Sequence, residues 1–292
     1  MKGSRLVPDP PAGKPCHRRP AALTIATGIA GQGVCVHDSA PELWQFRLSM
    51  YPEKARWALD YKNIPHIRRS LLPGPHVPKL MPRFGQKALP ILRDGARIIK
   101  GSAEVLAYLE QKHPEHPLLP ADPALRVRAL ELQARFDEAG EHVRRAFFWE
   151  FLRDPGYAAN LFASGQAPGT RRFYRLVFPG VRVVMRQQMK INAARAEESL
   201  GKTRELLDYV AGHQGPSGYL LGNRFSLADL AAAVMMQPCA NPPEYPTPYP
   251  QPYPPDLGNW LKRWQNHPAT AWTKEMYRRH RGKSVALEDR NS

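Results

Sequence analysis

Hydrophobic patterning changes period once along this chain, and the change divides it. Before the stretch 113–123, apolar residues come in short alternating or continuous runs; after it they recur every three to four residues. The stretch itself holds Pro114, Pro117, Pro120 and Pro123, so it cannot be a helix interior or a central strand and reads as a linker. A 292-residue chain that switches period in this way is expected to form two units, a mixed α/β one followed by an all-helical one.

In the first unit, Leu43-Trp44-Gln45-Phe46-Arg47-Leu48 alternates and predicts a strand. Pro52 opens a helix, since its missing N–H is not needed at a first helical position. Ala55, Trp57, Ala58, Leu59 and Tyr61 supply that helix's apolar face, and Lys62-Asn63 ends it. His66 to Leu72 predicts a second strand, and Pro73 to Lys87 a connection with one helical turn. Ala88 to Leu92 and Ala96 to Ile99 form a hairpin around Asp94-Gly95. Gly101 to Lys112 predicts a helix with Val105, Leu106 and Leu109 inward. A parallel pair with a right-handed crossover, then an antiparallel hairpin, makes a mixed four-stranded sheet of thioredoxin-like type.

In the second unit, Leu125, Ala129, Leu132, Phe136, Ala139, Val143 and Ala146 form one buried stripe of a long helix. A second long helix is expected from Val181 to Gly212. Ser226-Leu227-Ala228-Asp229 is a capping box, with Phe225 and Leu230 placed to close a hydrophobic staple; Pro238 is expected to end that helix. Leu257, Trp260, Leu261 and Trp264 share a helix face, and a last helix follows Pro268. The expected organisation is an α/β unit over 41–120, a helical unit over 121–280 and a flexible tail over 281–292. Residues 1–40, Pro-rich and basic and then weakly apolar, read as a disordered extension or a targeting segment.

Net charge is +16, which raises nucleic acid or a membrane surface as partners. The excess is spread: residues 41–120 carry 13 basic and 7 acidic side chains, and residues 121–280 carry 21 and 15. No run of five or six like charges occurs, so the reading is a generally basic surface, with no nucleic acid and no membrane as partner. Cys16, Cys35 and Cys239 are too few and too widely spaced for a disulfide framework or a metal set, and this fits a reducing compartment. His113 and His116 lie among prolines and read as loop residues rather than metal ligands.

Four motifs in order carry a family resemblance. Leu48-Ser49-Met50-Tyr51-Pro52-Glu53-Lys54-Ala55-Arg56-Trp57-Ala58-Leu59 is similar to the first strand-to-helix turn of soluble glutathione S-transferases, of the serine type found in bacteria. Ala88-Leu89-Pro90-Ile91-Leu92 resembles that family's cis-proline strand, and Lys100-Gly101-Ser102-Ala103 its glutathione-binding turn. Phe225 to Leu230 resembles its helix-capping signature. The resemblance covers about residues 41–280. It implies a thioredoxin-like N-terminal domain and an all-α C-terminal bundle, glutathione as co-substrate with no metal, and an electrophilic small molecule as second substrate. It also implies a homodimer and a cytoplasmic detoxification role.

Under that resemblance, Ser49 is the activating hydroxyl, with Tyr51 the alternative on the same turn. Lowering a thiol pKa by ~2 units from ~8.5 requires ~2.7 kcal/mol of preference for the thiolate. One charge-assisted hydrogen bond contributes ~1.5–3 kcal/mol, and a helix N-terminus adds ~0.3–1 kcal/mol, so no general base is needed. Pro52 stands where some relatives have Cys, which argues against thiol redox chemistry. Leu89 offers its backbone to the cysteinyl unit beside Pro90, Ser102 holds the γ-glutamyl carboxylate, and Lys87 is a candidate for the glycyl carboxylate. Gly101 departs from the pattern: relatives usually carry an acidic residue or Gln there to grip the ammonium group, and Glu104 is the possible substitute. Phe147, Phe148 and Trp149 either line a second-substrate pocket or are plain core. The stretch Asn241 to Pro255, with Tyr245, Tyr249 and Tyr253 at four-residue steps, reads as a covering loop or a polyproline ligand for a partner. The resemblance predicts an enzyme that conjugates glutathione, with a non-catalytic binding protein of the same fold as the alternative.

Overall fold

A computed structural model describes residues 40–287. The expectations for residues 1–39, with Cys16 and Cys35, and for residues 288–292 lie outside the described residues.

Strand β1 (Glu42–Gln45) runs into helix α1 (Met50–Tyr61), which returns to β2 (His66–Ser70). Helix α2 (Val77–Phe84) precedes the hairpin β3 (Ile91–Asp94) and β4 (Arg97–Lys100), and α3 (Ser102–Lys112) closes the unit. β1 pairs with β2 in parallel, Leu43 opposite Arg68, and with β3 antiparallel, Leu43 opposite Leu92. The thioredoxin-like arrangement is therefore present. Among the described residues the sheet has five strands rather than four: β5 (Ala286–Leu287) pairs in parallel with the edge of β2, giving the order β4-β3-β1-β2-β5. The tail expected to fray after Arg281 is ordered through Leu287 because Arg281 is buried on the carboxylates of Glu53 and Asp60.

The helical unit opens with α4 (Pro123–Phe151), whose first turn is capped by Asp122 accepting from Leu125 N–H. The expected stripe is its buried face, except that Leu125 and Ala139 are only partly buried; Gly140 lies within that face. Helices α5 (Pro155–Phe162), α6 (Pro168–Gln188) and α7 (Ala193–Gly212) follow. The single helix expected over Val181–Gly212 is thus two. Lys190 takes φ +53° and Asn192 caps α7 by accepting from Arg195 N–H, so the chain turns without a Gly or Pro to mark it. Pro179 sits inside α6, which starts at Pro168.

Helix α8 (Leu227–Ala240) is buried along its whole length and carries both halves of the Ser226/Asp229 capping box. It does not end at Pro238 but continues to Ala240, where Asn241 at φ +41° terminates it. Helices α9 (Pro255–Trp264) and α10 (Pro268–His280) complete the bundle. One core runs through both units. Trp57 of α1 is fully buried, stacks on Phe225 at 5.7 Å and donates its indole N–H to the His280 carbonyl at 3.0 Å. No helix among the described residues is long and apolar enough to cross a membrane.

Candidate functional site

A cavity of about 620 Å³ opens between the sheet and the helical bundle, and four of the expected residues line it: Ser49, Tyr51, Lys87 and Leu89. Ser49 is the N-cap of α1, in extended conformation (φ −116°, ψ 135°), and its side chain does not cap the helix. Its backbone is engaged, N–H to the Phe46 carbonyl and carbonyl to Glu53 N–H. Its hydroxyl makes no hydrogen bond to the described residues. An extended residue at a helix entrance puts orphan N–H groups, the positive end of the helix dipole and a free hydroxyl on one cavity wall.

Tyr51 is differently placed. Its hydroxyl donates to Glu141 Oε1 at 2.7 Å, with the Asp137 carbonyl oxygen at 2.9 Å, both on α4. Burial, then the Glu141 charge, pushes its phenol well above the ordinary range. Lys54, one turn on, is buried and reaches Asp137 at 2.5 and 2.7 Å. Burial pulls the Lys54 pKa down and the Asp137 pKa up, and the attraction between the two charges opposes both shifts. These bonds fasten α1 to α4 beside the cavity.

The Leu89–Pro90 bond is cis. Gly101 N–H donates to the Pro90 carbonyl at 3.0 Å, joining the proline strand to the start of α3. Ser102 is the first helical residue there and is buried. Pro90, Gly101 and Ser102 are thus assembled with one another but are not part of the cavity wall itself. Gly101 has φ +105°, a conformation L side chains rarely adopt, and a Cβ there would lie 2.1 Å from Glu104 Oε2. The Glu104 carboxylate therefore fills the space that a side chain at 101 would occupy.

Phe147 and Phe148 are both core and cavity wall: each is buried and each lines the cleft, whereas Trp149 does not. The stretch 241–255 covers the bundle, with Tyr245 and Tyr249 buried and Tyr249 stacked on Phe147 at 5.5 Å. Sequence reasoning missed Arg144, Val181, Met185 and Tyr249 as wall residues. Arg144 pairs with Glu141 and lies 5.9 Å from the Tyr51 ring centre. Only its helical spacing from Glu141 hinted at this. Val181 reaches the cleft because Gly74, at φ +89°, lets α6 approach; a Cβ on Gly74 would meet Val181 Cγ2 at 2.7 Å. Among the described residues no group of His, Cys, Asp and Glu could hold a metal ion.

The model of the glutathione S-transferase N-terminal domain matches residues 43–117, and that of the C-terminal domain matches residues 193–263, together half of the chain. The chain belongs to the glutathione S-transferase family. A wheat (Triticum aestivum) glutathione S-transferase is 32% identical over 95 residues, which are 32% of this chain and 42% of the relative. A zeta-class glutathione S-transferase of Euphorbia esula is 39% identical over 77 residues, 26% of this chain and 32% of its own. The match thus spans well under half the length of these curated relatives. Among solved structures, a Methylobacillus flagellatus glutathione S-transferase with glutathione bound superposes with a TM-score of 0.54 at 17% identity, covering 83% of this chain and 97% of that one. The β-etherase LigF of Sphingobium superposes with a TM-score of 0.53 at 20% identity, covering 81% and 99%. Both share the fold.

Proposed function

We propose that this protein is a glutathione transferase that activates glutathione through Ser49 and conjugates it to an electrophilic small molecule. The observation that carries the reading is the Ser49 hydroxyl, without a hydrogen-bond partner among the described residues, at the entrance to α1 on the wall of the interdomain cavity. A thiolate placed there accepts a hydrogen bond from that hydroxyl and sits at the positive end of the helix. Tyr51, already donating to Glu141, positions α1 against α4 instead of activating the thiol.

In this reading the Leu89 backbone holds the cysteinyl unit, the start of α3 at Ser102 holds the γ-glutamyl carboxylate, and Lys87 faces the glycyl carboxylate. Glu104 grips the γ-glutamyl ammonium from the space above Gly101. The thiol proton leaves to solvent and the sulfur forms a bond to the electrophilic carbon. The leaving group departs with its electron pair or, in an addition, the neighbouring carbon takes a proton. Phe147, Phe148, Val181 and Met185 make the far wall apolar, suited to an apolar electrophile. The reading carries with it the family's homodimeric habit and a cytoplasmic setting, and sedimentation of the full chain checks the first.

Calorimetry of glutathione binding, followed by ultraviolet absorbance of the bound thiolate across pH, tests the assignment. Wild type is expected to bind glutathione with a thiol pKa depressed by about two units, and Ser49→Ala to bind it with the pKa near its free value of ~8.5. No binding at millimolar glutathione overturns the reading.

A further inference from the structure

A second cavity, larger than the first at about 1160 Å³, lies at the carboxyl ends of β1 and β2 and shares no lining residue with the interdomain cleft. Phe46 lines the cleft and Arg47, which enters the turn after β1, lines this cavity. Among the described residues its wall holds six arginines and Lys79 against one carboxylate, Glu42.

Four of those arginines are accounted for. Arg69 and Arg93 share Glu42, Arg56 pairs with Glu53, and Arg68 pairs with Asp60. Three cations remain without an acidic partner among the described residues: Arg47, Lys79 and Arg83. Arg83 lies over the Trp44 ring at 5.1 Å. Arg47 is pressed against the turn before α6: a Cβ on Gly165, itself at φ +75°, would lie 2.3 Å from Arg47 Nη1. Half-burying a guanidinium with no carboxylate beside it among the described residues costs solvation. The remaining wall adds the start of α6, with Gln166, Ala167 and Thr170, and the Thr247 hydroxyl. Ala167, the N-cap, offers no side-chain cap, so the first N–H groups of that helix, Pro168 aside, are free for an anion.

We propose that this cavity binds a small polyphosphate, of the nucleoside triphosphate or inorganic tripolyphosphate class. Three unpaired cations and a helix N-terminus match a ligand bearing three or four negative charges, and guanidinium forks fit phosphate oxygens two at a time. Glutathione, with a net charge near −1, is a poor match for this wall, and the volume exceeds what a single phosphate needs. The ligand is separate from the conjugation chemistry and binds whether or not the cleft is filled.

The test is calorimetry of the full chain with sodium tripolyphosphate and with ATP at constant ionic strength. Saturable one-to-one binding in the micromolar range is expected, with orthophosphate weaker by at least ten-fold. Equal affinity for the two probes assigns recognition to the phosphate chain; tighter ATP binding adds a contact to the nucleoside. Arg47→Gln is expected to weaken tripolyphosphate binding ten-fold or more and Lys79→Gln to weaken it further, with glutathione affinity unchanged. Lys274→Gln, on an exposed turn of α10, is expected to leave tripolyphosphate binding intact. Three results each overturn the proposal. They are no saturable binding at millimolar tripolyphosphate, an equal loss in the Lys274 variant, and displacement of tripolyphosphate by glutathione.

Discussion

Arg281 Nε donates to Glu53 Oε1 at 2.6 Å across 228 residues of sequence, and both side chains are buried. The same guanidinium reaches Asp60 Oδ2 at 2.8 Å, so one residue past the last helix bridges both ends of α1. Asp60 also accepts from Val285 N–H and sits below the usual carboxylate range; burial alone would raise it, and Arg68 and Arg281 outweigh that effect. Removing one partner of a buried pair leaves uncompensated charge and typically costs ~3–5 kcal/mol. Glu53 keeps Arg56 and Asp60 keeps Arg68 here, so Arg281→Met is expected at the lower end, about 3 kcal/mol. Urea unfolding measures it. Truncation after His280 should lose at least as much because β5 leaves too, and a loss below ~1 kcal/mol would remove the clamp from the account.

His66 is fully buried, with Nδ1 at 2.9 Å from the Ile64 carbonyl and Nε2 accepting from Arg68 Nε at 3.1 Å. Burial holds it neutral and pulls its pKa down to about 4. The unfolded chain, with His near ~6.5, therefore binds the extra proton between these values. This contribution to stability rises with pH through that window, is fully present above ~6.5 and amounts to about 3 kcal/mol. Unfolding free energy measured from pH 4 to 7 should climb less steeply in His66→Gln than in wild type. Parallel curves would refute the burial argument.

Much of the fold was legible because its signals are local. The capping box at Ser226/Asp229 and the α4 stripe need no knowledge of distant residues. β5 was invisible because two residues carry no periodicity and its anchor, Arg281, finds partners only after folding. The α6–α7 break lacked a Gly or Pro because Asn192 supplies the cap. In the candidate site, the turn residues Ser49, Leu89 and Pro90 stood in short motifs, whereas Arg144 and Tyr249 reach the cleft from elements whose packing no short segment encodes. Positive charge is even along the sequence yet concentrated in space: Arg47, Arg69 and Arg83 come from a strand exit, a strand and a helix and meet on one cavity wall.

Gly140 and Gly201 occupy helix interiors but for different reasons. A Cβ on Gly140 would lie 2.3 Å from Met235 Sδ and 3.4 Å from the Tyr51 hydroxyl, so α4 and α8 meet there only because the side chain is missing. Gly201 of α7 is exposed with nothing within 4 Å. Helix propensity alone makes Ala better than Gly by ~1 kcal/mol, while overpacking a core costs ~1–3 kcal/mol. Gly201→Ala should raise the melting temperature and Gly140→Ala should lower it. Equal shifts in one direction would show that propensity, not the crossing, decides both.

Tyr51→Phe removes a hydroxyl that ties α1 to Glu141, while Glu141 keeps Arg144. The expected loss is about 1–2 kcal/mol of stability, with the bound glutathione thiol as acidic as in wild type. Thermal unfolding reads the first and thiolate absorbance the second. A thiol pKa restored to its free value in Tyr51→Phe but not in Ser49→Ala would move the activating role to Tyr51.

Glu104 supplies the last contrast. It stands in the first turn of α3, is exposed, makes no ion pair with the described residues and crosses over Gly101. A carboxylate on this path grips an ammonium group without a side chain at 101, where φ +105° disfavours one. Glu104→Gln keeps the shape and removes the charge. Loss of one charge-assisted hydrogen bond, ~1.5–3 kcal/mol, corresponds to at least a ten-fold rise in KM for glutathione. Because the ammonium lies far from the sulfur, kcat and the bound thiol pKa should change little. Gly101→Ala is expected to act through the same contact, pushing the Glu104 carboxylate aside and raising KM as well. A normal KM in both variants would leave Glu104 as an ordinary first-turn acid favoured by the helix dipole.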